Sequence, residues 1–449
     1  YHSISQASYR TPIKRYETLG HEVGEALGTA EEIFGTMDVE TGAQTDVSEV
    51  VKSAPVSKIV SVVLRHAIEG RASDIHIEPV NKQSRVRYRI DGILHTTIVL
   101  PIYVHAALIS RIKVMANLKI DETRIPQDGR IRINVHNKEI DIRVSTLPLM
   151  GQEKVVMRLL ETPDKAPTFA DLGFFGLQAK IVMESINEPH GLFLVTGPTG
   201  SGKSTTLYAA LSFLNKEDIN IATLEDPVEY YIPGVNQAQI KPEVNFTFAT
   251  GLRSLLRQDP DIIMVGEIRD NETAELAIHA GLTGHSVLTT LHTNDCMGAI
   301  PRLFDMKVEP FLLANTLNAV VAQRLVRKLC NSCKVESQLP ADLSAQIQSK
   351  LAVIPKEAYY SGFRMEDIKF YKAVGCPNCS QTGYKGRLSI VEAMSIDREL
   401  QEIVAKGFDR RQAEAELQKQ HFITMEQDGL IKIALGWTTL EEVMRVSKS

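Results

Sequence analysis

A chain of 449 residues is too long for one hydrophobic core, and its length predicts about two to four domains. Its hydrophobic content of 43% and charged content of 23% exclude disordered and fibrous classes and are typical of globular proteins. The formal net charge of −5 gives no general basic field, which argues against a nucleic-acid-binding protein. The best candidate for a membrane span, residues 311–321, is too short to cross a bilayer, so any membrane association is predicted to be peripheral.

Residues 1–50 are weakly patterned and are predicted to be an N-terminal segment and linker. Residues 51–160 are predicted to form an α+β domain. Within residues 16–37 the hydrophobic spacing indicates a helix. The α+β domain shows alternating strands with hairpin signals and two helical patterns. Its predicted elements are a helix over 56–70, strands over 72–79 and 85–90, a turn at Asp91-Gly92, a helix over 104–116 and a hairpin over 130–145.

Many arginines fall on the polar faces of the predicted strands in this domain. Taken singly, most are expected to be solvated side chains on a sheet surface. The alternative is that one or two of them reach a nucleotide on another surface, because the guanidinium group suits phosphate oxygens. The candidates are Arg111, Arg124, Arg130 and Arg143, among which the sequence does not decide.

Residues 161–170 contain Pro163 and Pro167 and are predicted to be a linker to a second domain over residues 171–328. Short apolar runs alternate there with helical patterns. This order predicts a mostly parallel α/β sheet that is covered by helices on both faces. The predicted strands cover 192–195, 220–224, 261–265 and 286–290, and the predicted helices cover 204–214, 247–257 and 271–280.

One loop in this domain carries the strongest functional signal of the chain. It matches the pattern G-x-x-x-x-G-K-[ST] at every fixed position, between a predicted strand and a predicted helix. Glycines let backbone N–H groups turn toward phosphate oxygens, Lys203 can reach the outer phosphates, and the Ser204 hydroxyl can coordinate Mg²⁺. A purely structural turn would not explain the Lys-Ser pair, so we predict a nucleotide site. Its predicted contacts are Gly197, Pro198, Thr199, Gly200, Ser201, Gly202, Lys203, Ser204 and Thr205.

Two acidic clusters follow apolar strands, which is where α/β sheets place their ligands. Hydrolysis of ATP needs a group that orients the attacking water and ligands that hold Mg²⁺ against the phosphates. Glu267 is the first candidate for either role, followed by Glu225 and Glu229. Each acid could instead cap the N-terminus of a helix, an explanation that we favour for Asp226 and Asp270.

Two histidines, His285 and His292, bracket a predicted β-strand and have hydroxyl and amide side chains beside them. A single histidine in such a position is usually a packed or capping residue. Because two of them flank one strand of a nucleotide-binding domain, at least one is an equal candidate for sensing the γ-phosphate. The sequence leaves the two explanations open.

Four of the five cysteines form two C-x-x-C pairs that are separated by residues 334–375. The pairs are Cys330 with Cys333 and Cys376 with Cys379. Four thiolates can complete a tetrahedral zinc shell, which would be structural because no coordination position stays open. A redox role is disfavoured because neither pair begins a βαβ pattern. We therefore predict a metal-binding subdomain over residues 329–395, and we expect Cys296 to be a small buried side chain.

The rest of the chain, residues 396–449, is predicted to form a helical C-terminal region. No catalytic grouping is recognised in it. The elements predicted around and within this region are an extended run over 388–394, helices over 398–406 and 410–418, and a last helix capped by Thr438 or Thr439.

Taken together, these motifs make the chain resemble the secretion ATPase superfamily, and specifically the type IV pilus assembly and type II secretion ATPases. The combination spans roughly residues 55–395 and is highly specific. The matching stretches are residues 71–79 (RASDIHIEP), 126–130 (PQDGR), the phosphate loop, 225–229 (EDPVE), 266–270 (GEIRD), the two-histidine strand and the four cysteines.

The resemblance implies a RecA-like core with a parallel sheet, preceded by a smaller α+β domain and followed by a zinc clip and helices. It implies a homohexameric ring in which ATP hydrolysis drives domain rotation and powers pilin or pseudopilin assembly. Such a ring would work in the cytoplasm, peripheral to the inner membrane, and would dock on a membrane platform protein. The cysteine clip resembles the assembly and secretion branches and argues against the pilus retraction branch, which lacks it.

The resemblance also implies roles for individual residues. They are Lys203 for phosphate, Ser204 for Mg²⁺, Glu225 and Glu229 for an acidic box, Glu267 as the second acidic residue, His285 and His292 for a histidine box, and Arg124 and Arg130 as arginines that act on a neighbouring subunit. The chain departs from many P-loop ATPases at Gly266, where they carry aspartate, so Mg²⁺ would be held through water or by the acidic box. Residues 1–50 are too short for the extra N-terminal domain of such relatives, and no docking or cyclic-dinucleotide site is assigned to them.

Two other functions are weighed against the motor ATPase. A nucleic-acid translocase or helicase could use the same core, but the acidic balance predicts no stimulation by DNA or RNA. A zinc-ribbon binding module with a degenerate nucleotide fold would not need Lys203, Ser204 and Glu267. The intact set of these three residues favours the enzyme.

Overall fold

The computed structural model describes residues 22–23, 54–135, 138–161, 166–338, 340–356 and 368–447. The chain divides into two compact units. The first extends to Thr162 and includes the short segment Gly375–Gly383, and the second consists of Pro163–Val374 and Tyr384–Ser449. Nearly all of the predicted helix within 16–37 lies outside the described residues, as do residues 162–165 of the linker at 161–170 and the hairpin turn at 136–137.

The first unit is built on a six-stranded sheet in the order β3-β2-β1-β6-β5-β4, in which every neighbouring pair is antiparallel. Its elements are α1 (Ala54–Glu69), β1 (Asp74–Val80), β2 (Gln83–Ile90), β3 (Ile93–Pro101), α2 (His105–Met115), β4 (Gln127–Val135), β5 (Lys138–Leu149) and β6 (Gln152–Glu161). These bounds confirm the helices and hairpins that were predicted here.

The apolar residues of this unit cover one face of the sheet and pack against α1. Alternation buries Ile75, Ile77, Val86 and Tyr88, and the Tyr88 hydroxyl donates to the Val63 carbonyl of α1 at 2.8 Å. Because successive side chains of a strand alternate between faces, the charged residues are left on the opposite face.

One cross-strand row on that opposite face consists of four arginines and a single acid. In register across the neighbouring strands it runs Arg89, Asp74, Arg158, Arg143 and Arg130. Asp74 accepts from the Arg158 Nε at 2.8 Å, and its other oxygen lies 3.3 Å from the Arg89 Nε. In this arginine row Arg143 lies directly opposite both Arg130 and Arg158, and like charges in that position repel.

The second unit contains a seven-stranded sheet with helices on both sides. Its helices are α3 (Phe169–Leu172), α4 (Gly176–Ile186), α5 (Lys203–Leu214), α6 (Phe248–Leu255), α7 (Asn271–Leu282), α8 (Ala299–Asp305), α9 (Pro310–Ala314), α10 (Ala341–Ala352), α11 (Arg398–Ala405), α12 (Arg410–Lys419), α13 (Met425–Ala434) and α14 (Leu440–Ser447). Its strands are β7 (Gly191–Thr196), β8 (Ile221–Glu225), β9 (Asn236–Gln239), β10 (Ile262–Val265), β11 (Ser286–Leu291), β12 (Leu317–Leu329), β13 (Val335–Glu336), β14 (Tyr371–Lys372) and β15 (Tyr384–Ser395).

The large sheet has the order β15-β12-β7-β11-β10-β8-β9 and is parallel except for β15, which runs antiparallel to β12. In β7, Leu192 and Leu194 belong to the core on one face, whereas Phe193 and Val195 belong to the core on the other. The predicted parallel sheet with two covered faces is therefore confirmed. Such a strand reads as a continuous apolar run because neither face meets water.

Several elements of this unit were not predicted, among them α4, β12 and α13. The strand β12 has its polar residues at irregular intervals, so it lacks the period of two by which a strand is recognised. The helix α13 has Gly429 at its centre, which lowers its helical signal. A Cβ at Gly429 would lie 2.7 Å from Val443 Cγ1, so close packing with α14 requires glycine there. Among the described residues, no helix has both the length and the apolar character that crossing a membrane requires.

Candidate functional site

The phosphate loop connects the end of β7 to the first residue of α5. Its glycines have positive φ angles, 147° at Gly197, 79° at Gly200 and 91° at Gly202. A Cβ at Gly197 would lie 2.6 Å from both the Gln323 carbonyl oxygen and the Ser201 hydroxyl, so only glycine fits at this turn. The loop thereby presents the positive end of the α5 dipole, an arrangement that binds phosphate groups.

Lys203 is buried at the start of α5. Its Nζ donates to the carbonyl oxygens of Gly197 at 2.8 Å and Pro198 at 3.2 Å. Burial lowers the pKa of this ammonium group to about 8, against the opposing charge of Glu267. The buried Ser201 Oγ has no hydrogen-bond partner among the described residues. A polyphosphate would supply the negative charge and the acceptors that these groups lack, so the residues fit a nucleotide. Ser204 and Thr205 are exposed in the first turn of α5.

A glutamine that the sequence analysis missed holds this loop in place. Gln323 is fully buried in β12, next to β7. Its Nε2 donates to the Ser201 carbonyl at 2.8 Å, and its Oε1 accepts from the Thr206 hydroxyl at 2.8 Å. The available signal was an amide at the end of the short apolar run 319–322, which gains meaning only when that run is known to flank the loop.

Glu267 and His292 lie together because they follow β10 and β11, which are adjacent parallel strands. The His292 Nε2 lies 3.1 Å from one Glu267 oxygen, and Arg269 lies 2.5 Å from the other. Burial acts to raise the pKa of Glu267, but its contacts with Arg269 and His292 outweigh burial and lower the pKa. The carboxylate is therefore ionised and oriented at neutral pH.

Gly266, where the sequence departs from many P-loop ATPases, has a packing explanation. Its backbone N–H donates to the Leu224 carbonyl at 2.8 Å. A Cβ at this position would lie only 3.1 Å from that same oxygen. The end of β10 thus approaches the end of β8 so closely that an aspartate side chain would have to displace backbone.

Glu225 has a more enclosed environment than Glu267. It accepts hydrogen bonds from the Tyr208 hydroxyl, from the Thr223 hydroxyl at 2.6 Å and from the Gln237 amide at 3.0 Å. Burial raises the pKa of its carboxyl group. The backbone N–H of Glu229 donates to the same Tyr208 hydroxyl at 3.0 Å, so the two predicted acidic-box residues share one tyrosine.

The two acids that were expected to cap helices have different outcomes. Asp270 accepts from the Thr273 backbone N–H at 2.8 Å and caps α7, as predicted. The cap predicted for Asp226 is wrong, because no helix begins directly after it. Its side chain lies 3.8 Å from Arg269 instead, beside the carboxylate of Glu267.

His285 and His292 lie at opposite ends of β11. The His285 Nδ1 lies 3.0 Å from the Ala280 carbonyl and 3.3 Å from the Thr283 hydroxyl. At about 3.3 Å per residue, the strand separates the two histidines by about 20 Å. The structure therefore brings His292, and not His285, to the edge of the sheet that carries the phosphate loop.

The two arginines singled out in the first unit also differ. Arg124 is exposed and donates to the Glu122 carboxylate at 2.8 and 3.1 Å. Arg130 belongs to the arginine row, directly opposite Arg143. Arg158, the next member, is a residue that the sequence analysis did not select, because cross-strand register cannot be read from a single strand.

The four paired cysteines converge in the structure. The Sγ atoms of Cys330, Cys333, Cys376 and Cys379 all lie within 4.8 Å of one another. The Cys376 and Cys379 sulfurs are 3.7 Å apart, close to the spacing that a tetrahedral shell with bonds of about 2.3 Å requires. Backbone N–H groups of Cys376 and Gly383 each donate to the Cys379 sulfur at 3.2 Å, which favours a thiolate. The donor set therefore fits zinc. Cys296 is fully buried away from this cluster, as predicted.

Comparison with known proteins identifies relatives along nearly the whole chain. The family described as "Type II/IV secretion system protein" matches residues 49–445. The chain is 42% identical to the type II secretion system ATPase E of Vibrio cholerae over 452 residues, which cover 99% of this chain and 86% of that protein. It is 44% identical to the type IV pilus assembly ATPase PilB of Myxococcus xanthus over 442 residues, covering 98% and 76%.

A solved structure shares the fold as well. The pilus retraction motor PilT with bound ADP is 26% identical, with a TM-score of 0.59, over 87% of this chain and 97% of that one. This likeness confirms the predicted fold class, and the sequence relatives confirm the predicted resemblance. The phosphate loop and the Glu267–His292 pair lie at the same edge of the parallel sheet, the edge at which α/β sheets bind their ligands. The chain therefore belongs to the type II/IV secretion system family and is one of its ATP-hydrolysing members.

Proposed function

We propose that this chain is the subunit of a homohexameric motor that converts ATP hydrolysis into domain motion. The motion would power the assembly of pilin in a type IV pilus or of pseudopilin in a type II secretion system. The names of the two relatives above support this proposal, since one is a secretion ATPase and the other a pilus assembly ATPase. The observation that carries it is the buried Lys203 opposite Glu267 at one edge of a parallel sheet.

The loop from Gly197 to Thr205 would bind the phosphates of ATP through its backbone N–H groups and Lys203. Ser204 would supply a hydroxyl ligand to Mg²⁺. Because Gly266 offers no side chain and Glu225 is enclosed by protein donors, the remaining Mg²⁺ ligands are proposed to be waters, which Glu229 and Glu267 would hold.

Glu267 would accept a hydrogen bond from the attacking water and align it with the γ-phosphate. His292 would orient the Glu267 carboxylate and contact the terminal phosphate. His285 lies at the far end of β11 with its ring on the Ala280 carbonyl, so we propose that it caps α7 rather than senses phosphate.

The arginine row would neutralise phosphate charge on a neighbouring subunit of the ring. The row lines up four guanidinium groups across one face of the sheet, and a guanidinium group suits bidentate contact with phosphate oxygens. Arg130 and Arg143 were candidates from the sequence, and Arg158 joins them by register. The exposed Arg124 is proposed as a further donor that would have to leave Glu122 on assembly.

Zinc held by the four cysteines would stabilise the fold and take no part in hydrolysis, because four protein ligands leave no open position. At the membrane, the hexamer is proposed to bind peripherally, on the cytoplasmic face of the inner membrane. Its partner there would be a platform protein of the pilus or secretion machine. No observation favours a nucleic-acid translocase, and added DNA or RNA is expected to leave ATPase turnover unchanged.

The variant Lys203→Ala tests the proposal. It removes the only ammonium group that the loop holds while leaving the glycines and Gln323 in place. We expect ATPase turnover to fall to background while the thermal unfolding temperature stays within a few degrees of that of the wild type. Turnover that survives in this variant would exclude the proposed site.

A further inference from the structure

Glu392, in β15, is a buried acid that the proposed hydrolysis does not use. It is 6% exposed, and burial raises its pKa. One of its oxygens accepts from the Cys296 backbone N–H at 2.8 Å, and the other accepts from the Met425 backbone N–H at 3.1 Å. A single carboxylate therefore joins the loop that follows β11 to the first residue of α13.

Arg324 is a buried cation on the strand beside this carboxylate. It lies on β12, two residues beyond Ala322, which pairs directly with Glu392. The side chain is 7% exposed, and its Nη2 donates to the Asn294 amide oxygen at 3.1 Å. Its buried Nη1 has no hydrogen-bond partner within the described part of the chain. Burial lowers the pKa of Arg324, and the negative charges of Glu392 and Asp295 act against that effect.

These groups fix residues 292–296, which we call the histidine loop. The Thr293 backbone N–H donates to the Thr196 hydroxyl at 2.8 Å, next to the phosphate loop. Asn294 is held by Arg324, and Cys296 by Glu392. The His292 side chain itself is 46% exposed, so the backbone of this loop, more than packing, determines where its ring lies relative to Glu267.

We propose that Glu392 is a positioning residue that, together with Arg324, holds the histidine loop so that His292 stays against Glu267, and that it couples α13 to the hydrolytic site. If α13 moves, its Met425 N–H must either leave Glu392 or carry the carboxylate and the loop with it. Leaving a buried carboxylate oxygen without its donor is costly, so the second outcome is favoured. This inference depends on the proposed function, because it assigns a role in that same hydrolysis.

The test is Glu392→Gln, made in the wild type and in a His292→Ala background. Glutamine keeps the size of the side chain but turns an NH₂ group toward one of the two backbone donors. In the wild type we expect kcat for ATP to fall by about 3- to 30-fold with KM changed less than about twofold. In the His292→Ala background the same substitution should change kcat by less than about twofold, because the contact that it positions is already absent.

Glu442→Gln is the matched control. Glu442 is equally buried, at 1% exposure, and likewise accepts from a backbone N–H, that of Arg327 at 3.0 Å. The interactions found for it involve Arg327, Arg445 and Thr439, none of which belongs to the histidine loop. The substitution Glu442→Gln should lower the unfolding temperature without lowering kcat.

Three results would overturn the inference. They are an unchanged kcat in Glu392→Gln, an equal loss of kcat in both backgrounds, and an equal loss in Glu442→Gln. If Glu392→Gln fails to fold, Arg324→Lys replaces it, because lysine keeps the charge but loses the planar fork that reaches Asn294. The same loss and the same dependence on His292 are expected, and an unchanged kcat would overturn the inference. A wild type without ATPase activity would instead refute the proposed function itself.

Discussion

The six-stranded sheet of the first unit and the seven-stranded sheet of the second place charged side chains in different positions. On the open face of the first, Glu78 is buried beneath basic residues. Burial acts to raise its pKa, but hydrogen bonds from Arg87, Lys154 and Arg85 outweigh it and lower the pKa to about 2. At the edge of the second, burial lowers the pKa of Lys203 to about 8, and its nitrogen contacts only carbonyl oxygens.

The difference shows which charges have partners within the chain and which need one from outside. The charge of Glu78 is balanced by its own sheet, so it contributes to stability. Lys203 is buried without an ion pair, which is unfavourable until an anion arrives. The arginine row differs from both, since it places guanidinium groups directly opposite one another across neighbouring strands. Substitutions in these regions should therefore separate stability from activity.

The largest effect is expected from Arg143→Ala, in the middle of the arginine row. Arg143 lies between Arg130 and Arg158, so its removal relieves like-charge repulsion and offsets the loss of its own contacts, and the unfolding temperature should change by no more than a few degrees. If the row acts on phosphates of a neighbouring subunit, ATPase kcat should fall by about 10³-fold. Steady-state turnover and thermal unfolding of the assembled protein measure the two effects.

Arg132→Ala is the control for that variant. Arg132 lies on the same face of β4 as Arg130, and its Nε donates to Asp141 at 3.0 Å, outside the row. It should change kcat by less than about twofold. If both variants lose activity equally, the face as a whole is needed for folding or assembly, and the row has no special role.

Glu267→Gln is expected to give the next largest effect. Glutamine keeps the hydrogen-bonding size of the side chain but cannot accept a proton from water, so kcat should fall by about 10²-fold. The phosphate loop is untouched, and ADP should bind with the affinity of the wild type, as titration calorimetry would show. Glu272→Gln, at an exposed position of α7, is the control and should leave kcat unchanged. A loss of ADP affinity in Glu267→Gln would mean that Glu267 supports the loop instead.

The sequence predicted the local parts of the site but not the contacts between distant segments. The phosphate loop, the strand before it and the Asp270 cap depend on neighbours in the chain, and spacing reveals them. Gln323 contacts the phosphate loop from β12, which is distant in the sequence, and Arg158 lies in the arginine row because β6 pairs with β5. A local sequence pattern therefore cannot reveal either residue. His285 and His292 have equal sequence signals, and only the direction of β11 separates them.

The smallest effect is a pH dependence of nucleotide binding. In the free protein the pKa of Lys203 is about 8, below its ordinary value, because burial disfavours the charged ammonium group more than the charge of Glu267 favours it. A bound diphosphate would stabilise the charged form and raise that pKa. Between the two values, binding takes up a proton, so the Kd for ADP should increase by up to about tenfold from pH 7 to pH 9.

Lys203→Arg isolates the cause of that pH dependence, because arginine stays charged throughout this range. Its ADP affinity can be weaker at every pH, since the guanidinium group is larger, but the affinity should not change between pH 7 and pH 9. Parallel curves for the two proteins would mean that another group titrates and that Lys203 already has a partner in the free state. If the ADP affinity depends on pH in the wild type but not in Lys203→Arg, the result would establish that Lys203 acquires its counter-ion from the nucleotide, unlike the cations on the open sheet face.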